Sequence, residues 1–252
     1  MGRAMAISIS KINDFQVIVS NPHIAKIKSL KKDDIAITAD NLEIALKSQV
    51  IILAVKPNLI ESVLKEIKPH LKSTQILTSV AAGITTSQIE KWSSQSKIVR
   101  AMPNTPVQIN EGFTAWYSKN LNVKEKTLIK KIFASTGVEM ALKTESEIVD
   151  IGTLTGCGPA YVFYFLEAMQ IASEKFGFSK KDAKAMCLQT FLGAIKLAQN
   201  SKEDFVQLRE NVTSKGGVTH AAITHMESKK IKKSFQEAIL KAKKRTIELR
   251  KG

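Results

Sequence analysis

Short apolar runs alternate with helix-spaced apolar stripes over the first part of this chain, and from about Asp150 only the helical spacing remains. Phe15 to Ser20, Ile35 to Thr38, Val50 to Val55, Gln75 to Ser79 and Lys97 to Ala101 read as strands. Between them, Pro22 to Leu30, Asn41 to Lys47, Asn58 to Ile67 and Thr86 to Trp92 read as helices, with Pro22 suited to a first turn. The run V-I-I-L-A-V at Val50 to Val55 is apolar throughout, the pattern of a strand covered on both faces. Phe113 to Tyr117 and Val138 to Leu142 add two strands around a helix from Lys124 to Ser135. This rhythm predicts an α/β unit with a mostly parallel sheet. Beyond it, Tyr161 to Phe176, Ser179 to Gln199, Glu203 to Asn211, His220 to Glu227 and Ile231 to Lys251 predict an all-α unit. The boundary falls near Thr144 to Asp150, giving domains 1–147 and 148–252. Phe163, Tyr164, Phe165, Leu166 and Met169 crowd one helix with more apolar surface than a small bundle covers. Either a partner subunit or the first domain must bury it.

Composition narrows the classes. At 252 residues and 44% hydrophobic, the chain can build two cores. It has no apolar run of membrane-spanning length and no signal-peptide pattern, so no membrane and a cytoplasmic location are expected. Cys157 and Cys187 have no metal-ligand spacing, and His220 and His225 do not share a helix face; no metal site is expected. The formal charge of +15 suits nucleic acid, a membrane surface, or an anionic cofactor and substrate. Arginine occurs only at 3, 100, 209, 245 and 250, so the excess is nearly all lysine, a poor bidentate reader of phosphate. The densest runs, Lys229 to Lys233 and Lys241 to Lys251, alternate with Ile231, Phe235, Ile239, Ala242 and Leu249. They read as the solvated face of an amphipathic helix rather than a nucleic-acid patch.

The most informative stretch is L-R-E-N-V-T-S-K-G-G-V-T-H-A-A-I-T-H-M-E-S, Leu208 to Ser228. Gly216 and Gly217 leave backbone amides uncovered just before a new apolar stripe at Ala221, Ala222, Ile223 and Met226. Uncovered amides at a helix start can hold a small anion such as a carboxylate. The plainer reading is a Gly-Gly connection between helices with Thr219 as N-cap.

This stretch resembles the signature of pyrroline-5-carboxylate reductases, with Lys215 where the family usually has proline. Further motifs follow in family order: Ala54-Val55-Lys56-Pro57, Val80-Ala81-Ala82-Gly83, Met102-Pro103-Asn104-Thr105-Pro106, and Thr155-Gly156-Cys157-Gly158-Pro159-Ala160-Tyr161. Cys157 stands where the family has serine, and the segment before it is one residue shorter, which leaves Glu145 and Glu147 without an assigned role. Asn104 can serve either a rigid turn or a ligand. The resemblance implies a Rossmann-like sheet followed by a helical dimerisation domain. It also implies reduction of 1-pyrroline-5-carboxylate to L-proline, the last step of proline biosynthesis. The cofactor would be NADPH, with NADH as the other candidate, and the protein a homodimer or higher homo-oligomer.

The same resemblance assigns sites. Ser214, Gly216, Gly217, Val218 and Thr219 would bind the substrate, and Thr219 would hydrogen-bond the ring nitrogen. Gly2, Ser20, Asn21, Asn41, Ala54, Val55, Lys56, Pro57, Val80, Ala81, Ala82 and Asn211 would meet the cofactor. Ser20 and Asn21 end the second expected strand with neutral groups, where NAD-specific folds carry an acid; a 2′-phosphate would meet no repelling carboxylate there. The opening M-G-R-A-M-A-I-S-I-S reads as a helix already under way. Gly2 would be the third glycine of the dinucleotide fingerprint, with the first strand and two phosphate-facing glycines lacking. Either the start lies upstream, or the chain is a catalytically impaired remnant that still dimerises.

Overall fold

A computed structural model describes residues 1–248. The chain divides into two compact units, the first Met1–Pro159 together with the described residues 245–248 and the second Ala160–Lys244. The first holds every strand. It opens with α1 (Gly2–Ser10) and proceeds through β1 (Ile18–Ser20), β2 (Ala36–Thr38), α2 (Asn41–Lys47), β3 (Val50–Leu53), α3 (Ile60–Ile67), β4 (Ile76–Ser79) and α4 (Thr86–Ser93). Then come β5 (Ile98–Pro103), β6 (Gly112–Lys119), α5 (Val123–Ala134), β7 (Gly137–Ala141) and α6 (Glu147–Ile151). Where one helix was expected over Pro22 to Leu30, two 3₁₀ segments occur, Ile24–Lys26 and Lys28–Asp33. No side chain caps the start of either one, and α-helical hydrogen bonding does not propagate through them.

The strands form two sheets. β1 and β2 pair in parallel, and β3 through β7 form a second sheet in sequence order. That sheet is parallel except for β5 against β6. Among the described residues, no strand pairs with the second edge of β1 or of β3.

Period-2 alternation sends successive residues to opposite faces. Ile76, Val99, Ala101 and Trp116 pack with Met5 and Ile9 of α1 and Ile129, Ile132 and Phe133 of α5. Ile51, Leu53, Leu77 and Ile98 pack with Ala45 of α2, Ile60, Leu64 and Ile67 of α3, and Ile89 of α4. The sheet is therefore covered on both faces, as the apolar runs required. β4, paired on both edges, is buried throughout, whereas β3 is fully buried only at Ile51 and Leu53. The strand ends there, and Ala54 and Val55, expected to continue it, are exposed.

The second unit is helical. It contains most of α7 (Gly158–Lys175), then α8 (Lys180–Gln199), α9 (Phe205–Asn211) and α10 (Val218–Ser228) and the body of α11 (Ile231–Glu248). Ser179 caps α8 by accepting from the Asp182 amide, and Asp204 caps α9 by accepting from Gln207. Tyr161 and Phe165 of α7 meet Phe235 of α11 edge-on, at centroid distances of 5.5 and 5.6 Å. Only Ala183 and Cys187 are buried hydrophobics here. Leu249, Arg250 and Lys251, read above as the end of the last helix, lie outside the described residues.

Candidate active site

In parallel α/β sheets, ligands gather at the carboxyl ends of the strands. Three expected cofactor segments meet there in the first unit. α1 begins beside the residue that follows β3: a Cβ added to Gly2 would sit 2.8 Å from the Ala54 Cβ. No side chain larger than hydrogen fits, so the helix start lies close against the strand end. The Val80 amide donates to the Leu53 carbonyl at 3.2 Å and ties the loop after β4 to the end of β3. Gly2, Ala54 and Val80 thus belong to one ledge of small residues, with Ala81 buried behind it and Ala82 exposed. Val55, Lys56 and Pro57 are exposed beyond it, Pro57 opening a 3₁₀ turn. This close helix–strand approach fits a dinucleotide laid across the ledge, which is the reason for a glycine at that place in such folds.

A second group lies at the end of β1. Ser20 Oγ donates to Asn41 Oδ1 at 2.8 Å, and Asn41 Nδ2 donates to Glu66 Oε2 at 3.0 Å. Asn21 is committed locally, its Oδ1 accepting the His23 amide at 2.8 Å in an Asx turn. The expectation of no carboxylate near this strand end is therefore corrected: Glu66 of α3 reaches the same asparagine that holds Ser20. No reading of β1 alone could find it, because it arrives from another helix.

The loop from Val80 to Gly83 is anchored at its far end by Glu145. Its Oε1 accepts from the Thr86 amide at 2.9 Å and from Arg100 Nη1 at 2.8 Å, and its Oε2 accepts from Thr86 Oγ1 at 2.6 Å. Arg100 is 3% exposed. Burial opposes ionisation of Glu145, but the bonds from the Thr86 hydroxyl, Arg100 and the Thr86 amide outweigh it and hold the carboxyl below its ordinary range. Asn104 is also structural: Nδ2 donates to the Thr155 carbonyl at 3.1 Å and Oδ1 accepts from the Phe113 amide at 2.8 Å. Before α7 the chain makes a π-helical turn, Gly152–Gly156. Gly152 and Gly156 admit the Met102 side chain there, a Cβ at either meeting it at 3.2 and 3.4 Å.

In the second unit, Asn211 ends α9 and Gly217 is the N-cap of α10. Thr219 is thus inside the first turn and is not the cap. Gly216 has φ +77°, which lets the chain reverse before the helix. The Gly217 amide donates to the Ser214 carbonyl at 2.9 Å. The amides that follow, at Val218 and Thr219, have no side-chain cap, and both residues are exposed, Val218 by 92%. Asn211 accepts from Gln207 Nε2 at 2.9 Å and donates to Glu203 Oε2 at 2.7 Å. Cys157 is a free, exposed thiol. Among the described residues, no group of three or more His, Cys, Asp or Glu could hold a metal.

Comparison with known proteins fits this arrangement. The family model for pyrroline-5-carboxylate reductase dimerisation matches residues 145–249, and that for NADP oxidoreductase, coenzyme F420-dependent, matches residues 1–83. A pyrroline-5-carboxylate reductase of Pseudomonas aeruginosa is 33% identical over 85% of this chain and 80% of its own length. That of Haemophilus influenzae is 32% identical over 93% and 88%. Among solved structures, a pyrroline-5-carboxylate reductase from Coxiella burnetii superposes with TM-score 0.93 at 36% identity, covering 98% of this chain and 94% of its own. A Plasmodium falciparum pyrroline carboxylate reductase with NADP bound gives 0.86 at 31%, covering 99% and 94%.

Proposed function

The chain belongs to the pyrroline-5-carboxylate reductases, and from that membership we propose how its own residues serve the reaction. The activity is NAD(P)H-dependent reduction of 1-pyrroline-5-carboxylate to L-proline, the last step of proline biosynthesis, in a homo-oligomer. When bound, the reduced nicotinamide would supply a hydride for the ring carbon of the C=N bond. The ring nitrogen takes a proton from solvent beforehand and keeps it, so the protein need not supply a strong acid. Its work is to orient two reactants at about 3 to 3.5 Å.

The observation that carries the substrate assignment is the start of α10. Its first-turn amides are uncapped and follow a glycine pair, and a carboxylate there gains both hydrogen bonds and the positive end of the helix. Val218 and Thr219 supply the donors, because the Gly217 amide is already engaged. The protonated ring nitrogen donates to Thr219 Oγ1, Ser214 shapes the turn, and Gly216 permits it. On the dinucleotide side, Gly2, Ala54, Val55, Lys56, Pro57, Val80, Ala81 and Ala82 form the ledge. Ser20, Asn21 and Asn41 face the ribose, and Asn211 of α9 is proposed as a further cofactor contact. For function the boundary is placed at 147/148, at the start of α6, ahead of the compact-unit boundary after Pro159.

Thr219→Ala is expected to lower kcat by about ten- to a hundredfold with an unchanged melting curve; unaltered turnover would remove Thr219 from the site. A cytoplasmic location is supported by two free thiols. No described helix is long and apolar enough to cross a membrane. Several lysines are paired along their own helices, Lys47 with Glu43 and Lys65 with Glu61, which argues against a nucleic-acid surface. Salt-sensitive retention on a DNA column would overturn that. The alternative reading, an impaired protein that still assembles, would be excluded by oxidation of NADPH that depends on added 1-pyrroline-5-carboxylate.

A further inference from the structure

We propose that Glu66 sets the choice between NADPH and NADH, an inference that rests on reading Ser20 and Asn41 as the ribose contacts. The hydrogen bonds there have a direction. Ser20 Oγ donates to Asn41 Oδ1 at 2.8 Å, and Asn41 Nδ2 donates to Glu66 Oε2 at 3.0 Å. Both donations run toward the carboxylate. Glu66 can only accept, so it fixes the amide of Asn41, and Asn41 in turn fixes the hydroxyl of Ser20 with its lone pairs outward.

A ribose 2′-hydroxyl is a donor as well as an acceptor. It can donate to Ser20 Oγ and extend the relay without breaking any bond in it. A 2′-phosphate at neutral pH offers only acceptors and close to two negative charges. To bind it, Ser20 must turn its proton away from Asn41, and the phosphate must sit near the charge of Glu66.

Among the described residues, Glu66 forms no ion pair with a lysine or arginine, whereas Glu43 on α2 is held by Lys47 at 2.8 Å. Asp40 is spent on capping α2, accepting the Leu42 amide at 2.8 Å. Glu66 is the carboxylate bonded into the relay from Ser20 through Asn41, and it acts against the phosphorylated cofactor. The consequence is a narrowed preference for NADPH, with NADH an effective competitor.

The test is titration of the full chain with NADPH and with NADH, followed by the fluorescence of the reduced nicotinamide, so that no turnover is needed. Glu66→Gln removes the charge while keeping an acceptor for Asn41; Glu66→Ala removes both. The ratio Kd(NADPH)/Kd(NADH) is expected to fall by roughly three- to tenfold in Glu66→Gln, as for one screened charge near a dianion. The change should lie mostly in NADPH binding, should shrink with added salt, and should be at least as large in Glu66→Ala. Ser20→Asp is the control, because an acid at that strand end selects the free 2′-hydroxyl. If Ser20→Asp moves the ratio toward NADH by tenfold or more while both Glu66 variants leave it unmoved, the ribose site stands and the role of Glu66 is refuted. If none of the three moves either Kd, the reading of Ser20 and Asn41 falls, and this inference falls with it.

Discussion

Phe133 and Phe176 are the same side chain in opposite settings: the first is fully buried, the second 81% exposed. Each stands for its unit. In the first unit a sheet carries helices on both faces, so alternate strand residues find partners on either side. In the second, Phe163, Tyr164, Leu188, Leu192 and Ile195 all lie exposed along α7 and α8. A helix pair has no second layer of its own to cover such residues. The match of residues 145–249 to a dimerisation family accords with this: such faces are what a second copy would cover in a homo-oligomer.

That contrast can be broken at several points. The largest effect is expected at Phe133→Ala, which should cost about 3–5 kcal/mol of unfolding free energy in urea, as for other fully buried phenylalanines. A cost under about 1 kcal/mol would mean the first core is looser than its packing implies. Leu192→Asp, on the exposed face of α8, should leave the first unit folded yet weaken assembly about a hundredfold, some 2–3 kcal/mol. Sedimentation at decreasing protein concentration reads this directly, and an unshifted profile would move the interface away from α8. Glu145→Ala should cost about 2–3 kcal/mol, because it strands Arg100 in a buried place and frees Thr86. Melting temperature checks it, and Arg100→Leu in the same background should recover part of the loss.

The smallest effect is in acid. Glu145 has a depressed folded pKa, so its contribution is whole above the ordinary value of 4.5 and is lost as pH falls below that, through the folded value. Glu145→Gln should flatten the decline in stability of the chain below about pH 4.5. An identical slope in the variant would show that other carboxylates carry the acid response.

What could be read from the sequence follows from the range of each interaction. The β-α alternation, the all-helical second half and the turn at Gly216 and Gly217 depend on neighbours along the chain, and each appears in the structure near its expected place. The two 3₁₀ segments after Pro22 and the π turn at Gly152–Gly156 escaped because their hydrogen bonding differs while the apolar spacing stays helical. The polar clusters escaped for a different reason. Glu145 meets Arg100 across 45 residues and Thr86 across 59, and Glu66 meets Asn41 across 25. Nothing in local spacing announces such a meeting.

Periodicity and glycine placement by themselves determined the order of strands and helices and the place of the turn before α10, because these are settled by backbone geometry within a few residues. Only the tertiary structure decided which carboxylate stands at the end of β1, which one anchors the loop after β4, and which apolar faces remain uncovered. Those outcomes depend on distant segments arriving at the same place, and a side chain's partner is fixed by that arrival alone.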